Sequence, residues 1–134
     1  MIKFELGGYF FERNRRIQLP IVKKPSIDEL DNYLNIFKYN SGVFILDNDQ
    51  EDNNTPYKMI LYSDNQHYLV MLETILQDGD LEVRTFFNQC ECSKIMLILN
   101  EPYNNSLVIQ DFFLVKRVFS EFFIHGDVSR ELLK

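Results

Sequence analysis

Two cysteines and two histidines are all that this 134-residue chain offers for thiol chemistry or soft metal ligation. Cys90 and Cys92 stand in "CEC". Residues two apart in a strand point to the same face, side by side, which is poor geometry for a disulfide. One such pair does not make a stapled secreted scaffold, so a reducing, cytoplasmic setting is expected. His67 and His125 belong to different segments, and with CEC they match no common zinc spacing. His125 precedes Gly126 at a predicted helix end, where the dipole favours a cation without any catalytic role. A Cys–His nucleophile pair is the one covalent route these residue types leave open. A strand cysteine is more often a small buried hydrophobe.

Other absences narrow the field further. The chain has no GxSxG, P-loop, dinucleotide fingerprint or HExxH. No apolar run approaches the length of a membrane span. The N-terminal "MIKFELGGYFF" is broken by Glu5 and lacks a small-residue cleavage site, so no secretory leader is expected. Positive charge is also short: 14 Lys and Arg face 20 Asp and Glu, for a net charge of -6. Such a chain repels nucleic-acid backbones and anionic membranes at long range and attracts basic proteins. The expectation is a protein without catalytic residues, metal or cofactor. It is not an enzyme, binds neither nucleic acid nor membrane, and is a monomer or weak homodimer.

What the chain does have is aromatic carbon. Its 12 Phe and 7 Tyr supply a large core for one domain spanning residues 1–134. "IKFEL" alternates Ile2, Phe4 and Leu6 against Lys3 and Glu5, a half-buried strand that Gly7-Gly8 can bend or bulge. "ERNRR" reads as a polar turn, and Pro20 places "IQLPIV" at a sheet edge or outside it. "SIDE" at Ser26–Glu29 is a capping box that opens a helix over residues 26–40, with Ile27, Leu30, Leu34 and Phe37 on one stripe.

Strands follow. "GVFIL" is one, and "YKMILYS" and "HYLVMLETI" flank a "DNQ" hairpin turn. "LEVRTFF" sets Leu81, Val83 and Thr85 against Glu82 and Arg84. "KIMLILN" is apolar throughout and reads as a central strand covered on both faces, and "EPYNNS" as a loop. A second helix spans residues 111–125, with Phe112, Val115, Phe119 and Phe122 at helical spacing and Gly126 beyond its end. Phe113 and Phe123 lie off the main stripe, where core is the favoured reading and cover for an edge or a dimer partner the alternative, and "VSRELL" reads as a short final helix. The prediction is an α+β domain: a mostly antiparallel sheet of five to six strands with two main helices on one face.

One loop concentrates charge. "LDNDQEDNNTP" brings Asp47, Asp49, Glu51 and Asp52 together with no Lys or Arg among them. Counted as a calcium loop from Asp47, it has Asp52 where glycine is needed and Lys58 where a bidentate glutamate is needed. Catalytic carboxylates would sit in a cleft; these are flanked by Asn and are expected to be solvated. Asp78, Asp80 and Glu82 form a second acidic group at another strand end. Residues 1–24 carry +4, so the remainder carries -10. If both acidic groups lie at one side of the sheet, they form a single negative field that steers a basic partner.

The stretches "PSIDELDNYLNIFKYNSGVFILD" and "DFFLVKRVFSEFFIHGDVSRELL" give the chain a texture that resembles small bacterial immunity proteins of contact-dependent inhibition and polymorphic-toxin systems. The resemblance carries no family-defined site residues. It implies a chain that binds a cognate toxin domain, often a basic nuclease, and blocks its active site. The partner surface is then expected at Asp47, Asp49, Glu51 and Asp52, extended by Asp78, Asp80 and Glu82. An acidic secretion chaperone is the rival reading, although such proteins usually open with a helix. A small enzyme or ligand-binding domain is another, and it would need a pocket holding His67, Cys90 or Cys92.

Overall fold

The computed structural model describes residues 3–49, 52–87 and 94–134; Glu51, Cys90 and Cys92 lie outside them. Strands β1 (Phe4–Glu12), β2 (Arg15–Lys23), β3 (Gly42–Asn48), β4 (Pro56–Asp64), β5 (His67–Ile75) and β6 (Leu81–Arg84) form one sheet in the order β2-β1-β3-β4-β5-β6. All neighbours are antiparallel. Strands β7 (Ile95–Ile98) and β8 (Glu101–Asn104) make a separate hairpin, and β9 (Val108–Ile109) adds a seventh strand by pairing with β5. Helices α1 (Ile27–Ile36) and α2 (Phe112–His125) lie on one face of the large sheet. This is the predicted α+β architecture.

Period-two alternation decides which face the helices cover. Phe4 and Leu6 on β1, Phe44 and Leu46 on β3, and Met59 and Leu61 on β4 all point to the helix side, where they are buried. Each such side chain contributes roughly 1.5–3 kcal/mol when taken fully out of water. Rings interlock the layers: Phe4 meets Phe122 edge-on at 5.2 Å, and Phe44 meets Phe119 at 5.4 Å.

Both helices start at the expected caps, but α1 stops at Ile36, short of the expected residue 40. Ser26 Oγ accepts from the Glu29 amide, and Glu29 Oε1 accepts from the Ser26 amide. At the other end of α1 the sheet supplies donors to carbonyls that the helix leaves open: the Ser63 hydroxyl donates to Phe37 O at 2.9 Å, and the Tyr68 hydroxyl to Lys38 O. Asp111 caps α2, and Gly126 closes it in the left-handed conformation at φ 76°.

Four local expectations are corrected. "KIMLILN" is no central strand: Ile95–Ile98 pairs only with Glu101–Asn104, the segment read as a loop, and Ile95 and Leu97 are exposed. A short apolar run does not reveal its partner, and Leu99-Asn100, both at positive φ, turn the chain back on itself. "VSRELL" is a turn built on Ser129 O rather than a helix. Phe113 is 84% exposed, because α2 buries only its Phe112–Val115–Phe119–Phe122 side. Finally, the phase of β6 is inverted: Arg84 is buried on the helix side, and Leu81 and Val83 face out. The C-terminal segment offers Arg84 enough acceptors to make its burial possible.

Candidate partner-binding surface

The face turned away from the helices is only partly covered. The β7–β8 hairpin packs over one end, where Tyr103 meets Tyr62 at 6.4 Å and the Leu99 amide donates to Asp64 Oδ2 at 2.8 Å. Toward the other end, an apolar row crosses the sheet in register: Gly7, Ile45, Ile60 and Met71 on β1, β3, β4 and β5. Ile21 of β2 reaches over Gly7, and an open groove of about 600 Å³ lies here.

The next row is charged. Lys23, Glu5, Asp47, Lys58 and Glu73 stand opposite one another across five strands, followed by Val83. Glu5 and Asp47 are therefore like charges on directly paired positions, an arrangement that costs stability. Burial pushes the Asp47 carboxyl above its ordinary 3.8; Lys58 pulls it back, and Glu5, Asp49 and Glu73 push it further up. The Tyr57 hydroxyl donates to Glu73 Oε1 at 3.0 Å. Burial, and then this bond to a carboxylate, raise the Tyr57 pKa.

Beyond this row lie the two acidic loops, and they are tied together. The Asn54 amide donates to Ile75 O at 2.7 Å, and Asn54 Oδ1 accepts from the Gln77 amide at 3.0 Å. This contact brings Asp49 and Asp52 to the same end of the sheet as Asp78 and Asp80. Asp49, Asp52, Asp78 and Asp80 are exposed there. Asp78 Oδ1 accepts from the Asp80 amide at 3.0 Å and so shapes its own turn. Asp47 and Glu82 do not join them on equal terms. Asp47 is half-buried within the charged row. Glu82 lies on the opposite face of the sheet, opposite Thr74, and is held by Arg130 at 3.1 Å. Glu51 is outside the described residues.

The remaining candidates are scattered. His67 Nδ1 lies 3.0 Å from Asn65 O at the β4–β5 turn, and His125 is exposed at the end of α2. Cys90 and Cys92 are outside the described residues. Among the described residues no group of three or more His, Cys, Asp or Glu is arranged to hold a metal ion, and no helix is long and apolar enough to cross a membrane. Sequence reasoning missed Glu5, Lys58 and Glu73 as members of the charged row. Their alignment depends on β1 pairing with β3 across an intervening helix, which no local pattern encodes.

The architecture is that of a two-layer α+β protein with helices on one sheet face and a polar-rimmed groove on the other. The chain belongs to DUF6911, a family of unknown function whose model matches residues 3–132. It is similar to a solved crystal structure, a hypothetical protein from Neisseria gonorrhoeae, at 26% identity and a TM-score of 0.82. The match covers 96% of this chain and 92% of that one. No curated protein matches the chain.

Proposed function

We propose that this chain is a protein-binding module of the immunity type, which engages a basic bacterial toxin domain and keeps substrate from its active site. The observation that carries this reading is the junction of the two acidic loops through Asn54, beside the incompletely covered apolar row. Interfaces combine an apolar centre with a polar rim, and complementary charge accelerates encounter and selects partners. The texture of the sequence supports the toxin as the partner, and a similar fold in a bacterial protein is consistent with a bacterial setting.

The test is direct. The genes on either side of this one are read for a toxin-bearing product, and the chain is co-expressed and purified with the toxin domain so found. A stoichiometric complex, loss of the toxin's activity in that complex, and protected growth are the expected results. Absence of a complex between purified proteins at micromolar concentration rules the reading out.

A further inference from the structure

The two edges of the large sheet are protected differently. β2, at one edge, carries Pro20, which donates no ladder hydrogen bond, together with Arg15, Arg16 and Lys23. Its register with β1 also shifts between Leu6 and Gly8. Proline, charge and irregular register are devices that keep a foreign strand off an edge. β6, at the other edge, is short but has no proline, no register shift and no charge on its outer face. Among the described residues no strand pairs with its far side. Its charged residues, Glu82 and Arg84, both face the helix side, where Arg130 and the C-terminal segment hold them. On the outer face Leu81 and Val83 are exposed, and Ile75, on the position paired with Leu81, is exposed beside them.

The charge beside this apolar strip is negative and uncompensated. Asp78 and Asp80 directly precede β6, and the Asn54 bonds to Ile75 and Gln77 bring Asp52 to the same place. No Lys or Arg among the described residues pairs with any of the three. The cations of this end of the sheet are engaged or remote. Lys58 stands between Asp47 and Glu73, and Arg130 is on Glu82. Lys3, Lys23 and Lys24 belong to β1 and β2, and even β1 is four strand spacings from β6, about 19 Å, roughly two screening lengths at 0.1 M salt. Lys134, whose amide donates to Thr85 O, lies past the opposite end of β6.

We propose that β6 is a strand-addition edge: an extended, basic segment of a protein partner pairs with Leu81–Arg84, lays apolar side chains beside Leu81, Val83 and Ile75, and directs Lys or Arg to Asp52, Asp78 and Asp80. Main-chain bonds along the edge supply affinity, and the apolar strip and the carboxylates supply specificity. This rests on the partner reading above and names how the partner is held. A second copy of the chain, paired through its own β6 about a two-fold axis, would bring one cation, Lys134, toward each trio of carboxylates. A basic segment brings several and complements the edge better.

Amide NMR of the full chain tests this with three capped peptides. The first alternates Val and Thr between two lysines at each end, the second has glutamates in place of the lysines, and the third is the first with its central Val replaced by Pro. The lysine peptide is expected to shift Leu81, Val83 and Asp80 and to slow amide exchange along β6. The proline peptide, which breaks the added ladder, and the glutamate peptide should each bind at least tenfold more weakly. Leu81→Thr/Val83→Thr should weaken the lysine peptide about tenfold. Threonine suits an exposed strand position, so this variant should melt close to the parent, which separates lost binding from lost folding. Asp78→Asn/Asp80→Asn should weaken binding in the same direction. Four results overturn the proposal: no shift with the lysine peptide at millimolar concentration, shifts that the Leu81→Thr/Val83→Thr variant leaves intact, equal or tighter binding of the glutamate or proline peptide, or concentration-dependent shifts at β6 without peptide, which make a second copy the occupant. None of the four touches the complex-formation test, so failure here and failure of the partner reading are distinguishable.

Discussion

Arg84 holds residues 127–134 against the sheet. Only 2% of it is exposed, and its guanidinium donates to the Leu133 carbonyl at 3.2 and 3.1 Å, to the Val128 carbonyl at 2.6 Å and to Asp127 at 2.9 Å. The Asp127 side chain is itself largely exposed, so the ion pair contributes little and the buried carbonyls dominate. Replacing Arg84 with Met leaves those carbonyls without a donor. The expected cost is about 2–4 kcal/mol, seen as a lower denaturation midpoint, with faster amide exchange confined at first to residues 127–134. Exchange that stays unchanged there would mean the segment is held by Leu133 and Val128 packing alone. Asp47 makes the second prediction at this scale. Its folded pKa is raised, so the folded state binds more protons than the unfolded one between 3.8 and the raised value. Stability therefore falls as pH rises through that window, and the penalty is complete above it. Asp47→Asn removes the penalty. Its melting temperature should exceed the parent's near neutral pH, and the difference should close as pH falls toward 3.8. Calorimetry across that range checks the sign, and a difference that grows on acidification contradicts it.

Hairpins carry much of the topology, and each of three turns pairs a well-suited Asn with a residue poorly suited to the task. Arg13-Asn14, Asn65-Gln66 and Leu99-Asn100 all hold positive φ at both positions, as two-residue hairpin turns require. Asn14, Asn65 and Asn100 tolerate that conformation, but Arg13, Gln66 and Leu99 do not, and it costs such residues roughly 1–2 kcal/mol each. Gln66→Gly relieves one such position on an exposed turn, and the gain is partly offset by the greater freedom of the unfolded chain. A net stabilisation of about 0.5–1 kcal/mol is expected, read as a higher denaturant midpoint at unchanged slope. A lower midpoint would show that Gln66 contributes through its side chain. These elements also show what could be read from the residues alone. The capping box, the Phe112–Phe122 stripe, the edge position of Pro20 and the "DNQ" turn depend on neighbours a few residues away, and each appears in the fold. The β7–β8 hairpin, the burial of Arg84 and the row from Lys23 to Glu73 depend on partners far along the chain. An alternating strand states that it has two faces without stating which is inward. Leu81 and Val83 point out because the C-terminal segment supplies acceptors for Arg84 on the other side.

At the scale of the whole molecule, the two ends of the sheet differ in charge: the acidic loops share one end with Lys3, Lys23, Lys24 and Lys58, and the β1–β2 turn at the other end carries only arginines as cations. β1 runs from the Glu5 end, beside the acidic loops, to the turn bearing Arg13, with Arg15 and Arg16 at the start of β2. Arg16 is placed over the Tyr9 ring at 3.8 Å, so part of this positive charge is committed within the fold. The hairpin tip therefore does not neutralise Asp49, Asp52, Asp78 and Asp80 at the far end. Their field reaches about 10 Å into solvent at 0.1 M salt and further at lower salt. Singly these exposed charges are worth little, and one substitution should barely register. Changing all four to Asn keeps the side-chain oxygen at position 78 that accepts from the Asp80 amide, so the turn survives. Against a toxin domain of the kind proposed, the association rate of the fourfold variant should fall by roughly tenfold at low ionic strength. Its dependence on salt should flatten, and its dissociation rate should change far less. Stopped-flow association across a salt series reads all three quantities. Equal on-rates and equal salt slopes for parent and variant would show that these loops stay solvated in the complex. The partner would then meet another part of the molecule, with half-exposed Ile45 and Met71 of the apolar row the next residues to mutate.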